Sequence, residues 1–104
     1  MALNGDTYWL TFRIADDGHF AAQHRKIVAA VASAAEGRVW DEPAAFCLFR
    51  SKLSIDALAD HIATALRLDR DFALIGMPHH KAARVLGHWK DDRVRSLIPF
   101  AQLA

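Results

Sequence analysis

The stretch from Thr7 to Ile14, TYWLTFRI, constrains the fold more than any other part of the chain. Every second side chain in it is large and apolar, and these are Tyr8, Leu10, Phe12 and Ile14. A period of two is typical of a β-strand with one face on a core, because successive side chains point to opposite faces. Trp9 and Arg13 fall on the second face, so that face also needs cover or a partner.

The rest of the chain predicts helices and strands in alternation. Helical periodicity runs from about Phe20 to Gly37, and again from the N-cap candidate Ser54 to near Leu68. Further strands are predicted near residues 38–41, 44–50, 72–77 and 81–89. Pro43 separates the first two of these strands and forces a bend or bulge.

This order of elements predicts an α+β fold, a ferredoxin-like β-α-β-β-α-β sandwich with an extra C-terminal strand and tail. We expect residues 1–104 to form a single domain, since the chain is long enough for one core but too short for two. Both helices should cover the Tyr8 face. The 72–77 strand should lie beside the first strand at the sheet centre.

The uncovered sheet face and the apolar tail together predict a homodimer. A bare face bearing Trp9 would be an adhesive surface patch, and the tail carries Leu97, Ile98 and Phe100. The tail should dock on the body or on a second subunit. We therefore expect Trp9 or these three tail residues to form the dimer interface.

Charge is concentrated rather than abundant in this sequence. The formal net charge is only +1, but residues 79–95 hold five Lys/Arg and three His against two Asp. Any anionic partner should contact this segment, and a solvated charged surface is the alternative. The candidate nucleic-acid-binding cations are Arg13, Lys81, Arg84 and Lys90. Trp9, Trp40 and Trp89 could stack on bases beside them; packing in the core or at a dimer interface is the alternative role.

Other classes of protein find little support in the sequence. Hydrophobic residues make up 53% of the chain, yet no apolar run approaches the length of a membrane span. Cys47 is the lone cysteine and the N-terminus lacks a secretory signal, which predicts a cytoplasmic protein without disulfides. No zinc-ligand spacing, GxSxG motif or Gly-rich phosphate loop is present, so no cofactor is predicted.

Several segments resemble a known group of proteins. YWLTFRIADDGH, EPAAF and ARVLG resemble the SinR-like family of small bacterial proteins over nearly the whole chain. Over about residues 7–87 the chain also resembles the wider ferredoxin-like group that includes the second universal CRISPR adaptation protein and the VapD toxins. In the nuclease members, the first strand ends in an Asp that binds a divalent metal with its twin across the dimer axis.

Arg13 falls where that resemblance places the metal-binding Asp, while Tyr8 and Ile14 match the strand pattern. A guanidinium cannot bind Mg²⁺ or act as a base, so metal-dependent cleavage at this position is not expected. Asp16 and Asp17 are the alternative catalytic residues, as displaced Mg²⁺ ligands; capping of the following helix is the other role open to them. Arg13 itself could bind phosphate or form a structural ion pair with nearby carboxylates: Asp16, Asp41 or Glu42.

Three functions therefore stay open at this point. The first is a non-catalytic module that associates with RNA, DNA or another protein. The second is a metal-dependent endoribonuclease of toxin type. The third is a small-ligand regulatory domain.

Overall fold

The computed structural model describes residues 5–103, and within them six strands form one sheet. The elements in chain order are β1 (Asp6–Arg13), α1 (Phe20–Ala34), β2 (Ala35–Trp40), β3 (Phe46–Ser51), α2 (Ile55–Ala63), β4 (Phe72–Gly76), β5 (Ala83–Gly87), α3 (Arg93–Leu97) and β6 (Ala101–Leu103). The strands lie in the order β2-β3-β1-β4-β5-β6.

The sheet has the arrangement expected of a ferredoxin-like α+β fold. β1 is antiparallel to β3 on one side and to β4 on the other, and β2 is antiparallel to β3. The predicted neighbourhood of the first strand and the 72–77 strand is confirmed, with Leu10 opposite Ile75. β5 extends the sheet antiparallel to β4, and β6 adds a parallel edge strand.

The predicted register of β1 is also confirmed. Tyr8 and Leu10 are fully buried and pack in one cluster with Ile27 of α1 and with Leu58 and Ile62 of α2. Full burial of each such side chain contributes about 1.5–3 kcal/mol. A one-residue shift would bring Trp9 and Arg13 to the helices, so the hydrophobic cluster fixes the register.

Two helix ends differ from the sequence prediction. α1 ends at Ala34 and β2 follows at once, so Gly37 lies inside the strand with φ 76° rather than at a helix stop. The β2–β3 register shifts next to it, where glycine adopts a positive φ at little cost. α2 ends at Ala63 rather than near Leu68, because the backbone N–H of Leu66 bonds the carbonyl of Ala63 in a tighter turn.

The tail docks on the body through β6, which pairs with β5. Its apolar side chains are only partly covered, and Leu97 and Phe100 remain 79% and 40% exposed. Ile98 is half-buried. Trp9 is half-buried on the outer sheet face, with its indole against Gly76. A homodimer through these residues stays a prediction.

Candidate nucleic-acid interface

An aromatic and basic cleft lies on the outer face of the sheet, where β1 ends and β4 begins. We call it the Trp89 cleft; it has a volume of about 270 Å³ and is lined by Arg13, Phe72, Trp89, Lys90, Asp91 and Val94. The strand register creates it, because Arg13 lies opposite Phe72, and Phe72 lies opposite Gly87. Trp89 and Lys90 follow directly after β5 and so reach the same end of the sheet.

Arg13 is exposed and makes no ion pair with any carboxylate of residues 5–103. Its Nη2 donates to the carbonyl oxygen of His88 at 2.9 Å. The hypothesis of a structural ion pair with Asp16, Asp41 or Glu42 is therefore wrong. A guanidinium has five N–H donors, so this one bond orients the side chain and leaves donors for another acceptor.

The charge of the Trp89 cleft is positive on balance. Arg13 and Lys90 face one carboxylate, Asp91, which already accepts from Arg93 Nε at 2.9 Å. Hydrogen bonds from Arg93 lower the pKa of Asp91 and keep it ionised in that pair. Trp89 is half-buried, and its Nε1 lies 3.3 Å from Asp92 Oδ1, which helps to fix the indole.

The other two predicted cations lie elsewhere. Arg84 lies opposite Ile75 and therefore faces the helices; it is 9% exposed and donates to Asp56 Oδ1 at 2.7 Å. That hydrogen bond lowers the pKa of Asp56. Lys81 is exposed in the turn between β4 and β5, at the opposite end of β4 from the Trp89 cleft. The structure thus brings Arg13 and Lys90 together, without Lys81 and Arg84.

The carboxylates of the β1–α1 turn are not arranged as metal ligands. Asp17 Oδ2 lies 2.6 Å from Arg67 Nη1 and 3.2 Å from Arg70 Nη1. Burial raises the pKa of Asp17, but hydrogen bonds from Arg70, Arg67 and His19 outweigh it and lower the pKa to about 2. Asp16 is exposed. Across residues 5–103, no group of three or more His, Cys, Asp or Glu side chains could hold a metal ion.

Sequence reasoning missed the residue that holds this end of the sheet together, Asp71. It is fully buried directly before β4, and its carboxylate accepts from the backbone N–H of Ala15 at 2.9 Å and from Gln23 Nε2 at 2.9 Å. Arg67 adds its backbone N–H, Nε and Nη2, at 3.0, 3.1 and 3.0 Å. Burial raises the pKa of Asp71, but these bonds lower it overall.

Asp71 also connects to the Trp89 cleft through its backbone. Its carbonyl oxygen accepts from the backbone N–H of His88 at 2.8 Å, and the carbonyl of His88 in turn accepts from Arg13. The only hint in the sequence was an Asp immediately before an apolar strand and four residues after Arg67. Its partners, Ala15 and Gln23, are too distant in sequence to be recognised from a local pattern.

Comparisons with known proteins gave no match, whether against protein-family models, curated proteins or solved structures. The resemblance to the SinR-like family therefore stays a prediction. The longest helix within residues 5–103 has 15 residues, and none there is long and apolar enough to cross a membrane.

Proposed function

We propose that this chain is a non-catalytic module that binds single-stranded nucleic acid in the Trp89 cleft. One observation supports the proposal above all: Arg13 and Lys90, which are far apart in sequence, line one cleft together with the aromatic side chains of Phe72 and Trp89. A base can stack on an aromatic ring while the neighbouring phosphates contact the cations. Such stacking contributes about 1–3 kcal/mol per base and tolerates any base.

The Trp89 cleft is small enough to suit one base of an extended strand. Its volume of about 270 Å³ lies below the range of roughly 300–1,000 Å³ typical of small-molecule pockets. An unpaired base exposes a flat face, whereas a duplex hides its bases in the stack. We therefore expect single strands to bind and duplexes to bind more weakly.

The engagement of Asp17 argues against the toxin-type endoribonuclease. Asp17 Oδ2 is held by two guanidinium groups, so Mg²⁺ could use that oxygen only by displacing both cations. We propose no resident metal or cofactor for this module.

The module is proposed to act as a cytoplasmic homodimer. Leu97 and Phe100 are exposed before the edge strand β6 and Leu103 is exposed within it, and a second copy could cover them. The thiol of Cys47 is buried, and its burial raises the pKa to about 11, so it is poorly suited to forming a disulfide. An inert thiol of this kind suits a reducing compartment.

The test is fluorescence anisotropy with labelled single-stranded RNA and DNA at several salt concentrations. Trp89→Ala should weaken binding roughly 5- to 150-fold, from the loss of about 1–3 kcal/mol of stacking. Arg13→Ala should weaken binding and reduce its salt dependence, because one phosphate contact is lost. Arg50→Ala is the matched control, since Arg50 is an exposed arginine opposite Thr7 on the same sheet face.

Equal loss of affinity in Arg13→Ala and Arg50→Ala would show a diffuse charge effect and contradict the Trp89 cleft as the site. Mg²⁺- or Mn²⁺-stimulated cleavage that is abolished by Asp17→Asn would establish the endoribonuclease instead.

A further inference from the structure

A second cleft lies at the same end of the sheet but on its helix side, between α1 and the loop from α2 to β4. We call it the Arg70 cleft. It has a volume of about 390 Å³, and its polar lining consists of His19, Gln23, Lys26, Arg67, Asp69 and Arg70. It shares no lining residue with the Trp89 cleft, so the two can be tested separately.

Three permanent cations meet in the Arg70 cleft. Lys26 comes from α1 and forms no ion pair with a carboxylate in the part of the chain that the structure describes. Arg67 pairs with the buried Asp71 at 3.0 Å, which fixes its guanidinium in place. Arg70 pairs with its exposed neighbour Asp69 at 3.1 Å.

Asp17 supplies a third carboxylate that bridges the two arginines. Its Oδ2 lies 2.6 Å from Arg67 Nη1 and 3.2 Å from Arg70 Nη1, while its Oδ1 accepts from the backbone N–H of His19 at 3.3 Å. Two converging guanidinium groups beside a helix N-terminus are the donors that a phosphate group requires. Asp17 does not line the cleft itself, but it engages the two guanidinium groups that an external anion would use.

We propose that the Arg70 cleft binds a phosphate monoester group, and that Asp17 competes with this group for Arg67 and Arg70 in the free protein. A phosphate monoester offers three terminal oxygens to the three cations that line the cleft, whereas Asp17 binds the two arginines with a single oxygen. A phosphodiester carries one negative charge, as Asp17 does, so less binding free energy is gained when it replaces Asp17 at the two arginines. Asp17 lies in an exposed turn with 28% of its side chain accessible, so it can be displaced into water.

The experiment is titration calorimetry with inorganic phosphate, adenosine 5′-monophosphate and adenosine. Both phosphate compounds should bind and adenosine should not. Equal affinities would identify the phosphate group alone as the ligand, while tighter binding of the monophosphate would identify a nucleotide. A 5′-phosphorylated oligonucleotide that binds more tightly than its 5′-hydroxyl form would identify a strand end. Binding of adenosine as tight as that of the monophosphate would overturn the proposal.

Two pairs of matched variants test the geometry. Arg70→Gln should abolish phosphate binding, while Arg93→Gln should not, although Arg93 also pairs with a nearby carboxylate, Asp91. Asp17→Asn should raise phosphate affinity roughly two- to fivefold by removing the internal competitor. Asp16→Asn removes the same charge one residue away and should have a smaller effect.

Equal gains from Asp17→Asn and Asp16→Asn, or unchanged binding in Arg70→Gln, would contradict a site between the two arginines. Melting curves of each variant show whether a loss of binding reflects unfolding. The inference does not rest on the proposed function. Inorganic phosphate should still bind to Trp89→Ala, and failure of either binding assay leaves the other interpretable.

Discussion

Replacement of Asp71 by Ala should be the most damaging single change at this end of the sheet. The fully buried carboxylate accepts five hydrogen bonds, from Ala15, Gln23 and three N–H groups of Arg67. Truncation leaves those donors without their acceptor. It also removes the anion that fixes Arg67 in the Arg70 cleft and loosens the segment between Arg13 and the β4 strand.

The expected loss is about 3–5 kcal/mol, the usual result when one partner is removed from a buried ion pair. Single unsatisfied buried donors cost about 1–3 kcal/mol each. Water can reach Ala15 and Arg67, which are half-buried, and Gln23 keeps a second acceptor in the carbonyl of Ala65 at 2.6 Å. These contacts keep the total loss of stability below the sum of the costs of the separate unsatisfied donors. A domain of this size has about 5–15 kcal/mol of stability, so the loss is a large fraction of it.

The assay is thermal and urea unfolding followed by circular dichroism. At about 4 °C per kcal/mol, Asp71→Ala should lower the melting temperature by roughly 12–20 °C. Asp71→Asn keeps the side-chain volume and one acceptor oxygen, so its melting temperature should lie between those of Asp71→Ala and the parent protein. The control is Asp69→Asn, because Asp69 is exposed and should leave the midpoint close to that of the parent. An unchanged midpoint in Asp71→Ala would refute the role given to this network.

Three further outcomes are expected from the same structure. Gly87→Ala should lower the free energy of unfolding, measured by urea titration, by about 1 kcal/mol or more, because Gly87 has φ 83° and a Cβ there would overlap the carbonyl oxygen of Asp71. Acid should destabilise the fold, because the folded-state pKa of Asp17 is about 2 and that of Asp71 is also lowered. The stabilisation that these two carboxylates contribute is complete above the unfolded-state pKa of about 3.9 and is lost as the pH falls towards 2. Between pH 5 and pH 2.5, the melting temperature of Asp71→Asn should therefore fall less steeply than that of the parent protein. Light scattering at tens of micromolar should give twice the chain mass of 11.6 kDa, and a monomer would contradict the proposed dimer.

The fold was largely predictable because its signals are local and repeated. The alternation in β1 specifies which face is buried, since a shift by one residue would place Trp9 and Arg13 in the core. The N-cap of α2 was equally readable, and Ser54 Oγ accepts from the backbone N–H of Ala57 at 3.1 Å. The C-terminus of α1 was not predictable, because α1 is followed at once by β2 and no glycine marks its end.

The candidate site was only partly predictable, because side-chain partners are set by tertiary contacts. Sequence proximity suggested a carboxylate for Arg13, but the register places the carbonyl of His88 within its reach instead. Arg84 lies in the basic segment, and its charge alone predicts the same role as that of the other cations. Its position along β5, however, places its side chain on the helix side of the sheet, where it donates to Asp56. Asp71 directly precedes the predicted 72–77 strand, and nothing local distinguishes a buried acceptor from a solvated one.

The most direct test of the Trp89 cleft uses the fluorescence of Trp89 itself. The chain has three tryptophans, so Trp9→Phe combined with Trp40→Phe leaves Trp89 as the only indole. Addition of single-stranded RNA or DNA to this variant should quench the Trp89 emission in a saturable manner, and raised salt should reverse the quenching. Oligonucleotide binding by anisotropy with unchanged Trp89 emission, or no binding at all at low salt, would contradict the proposed site.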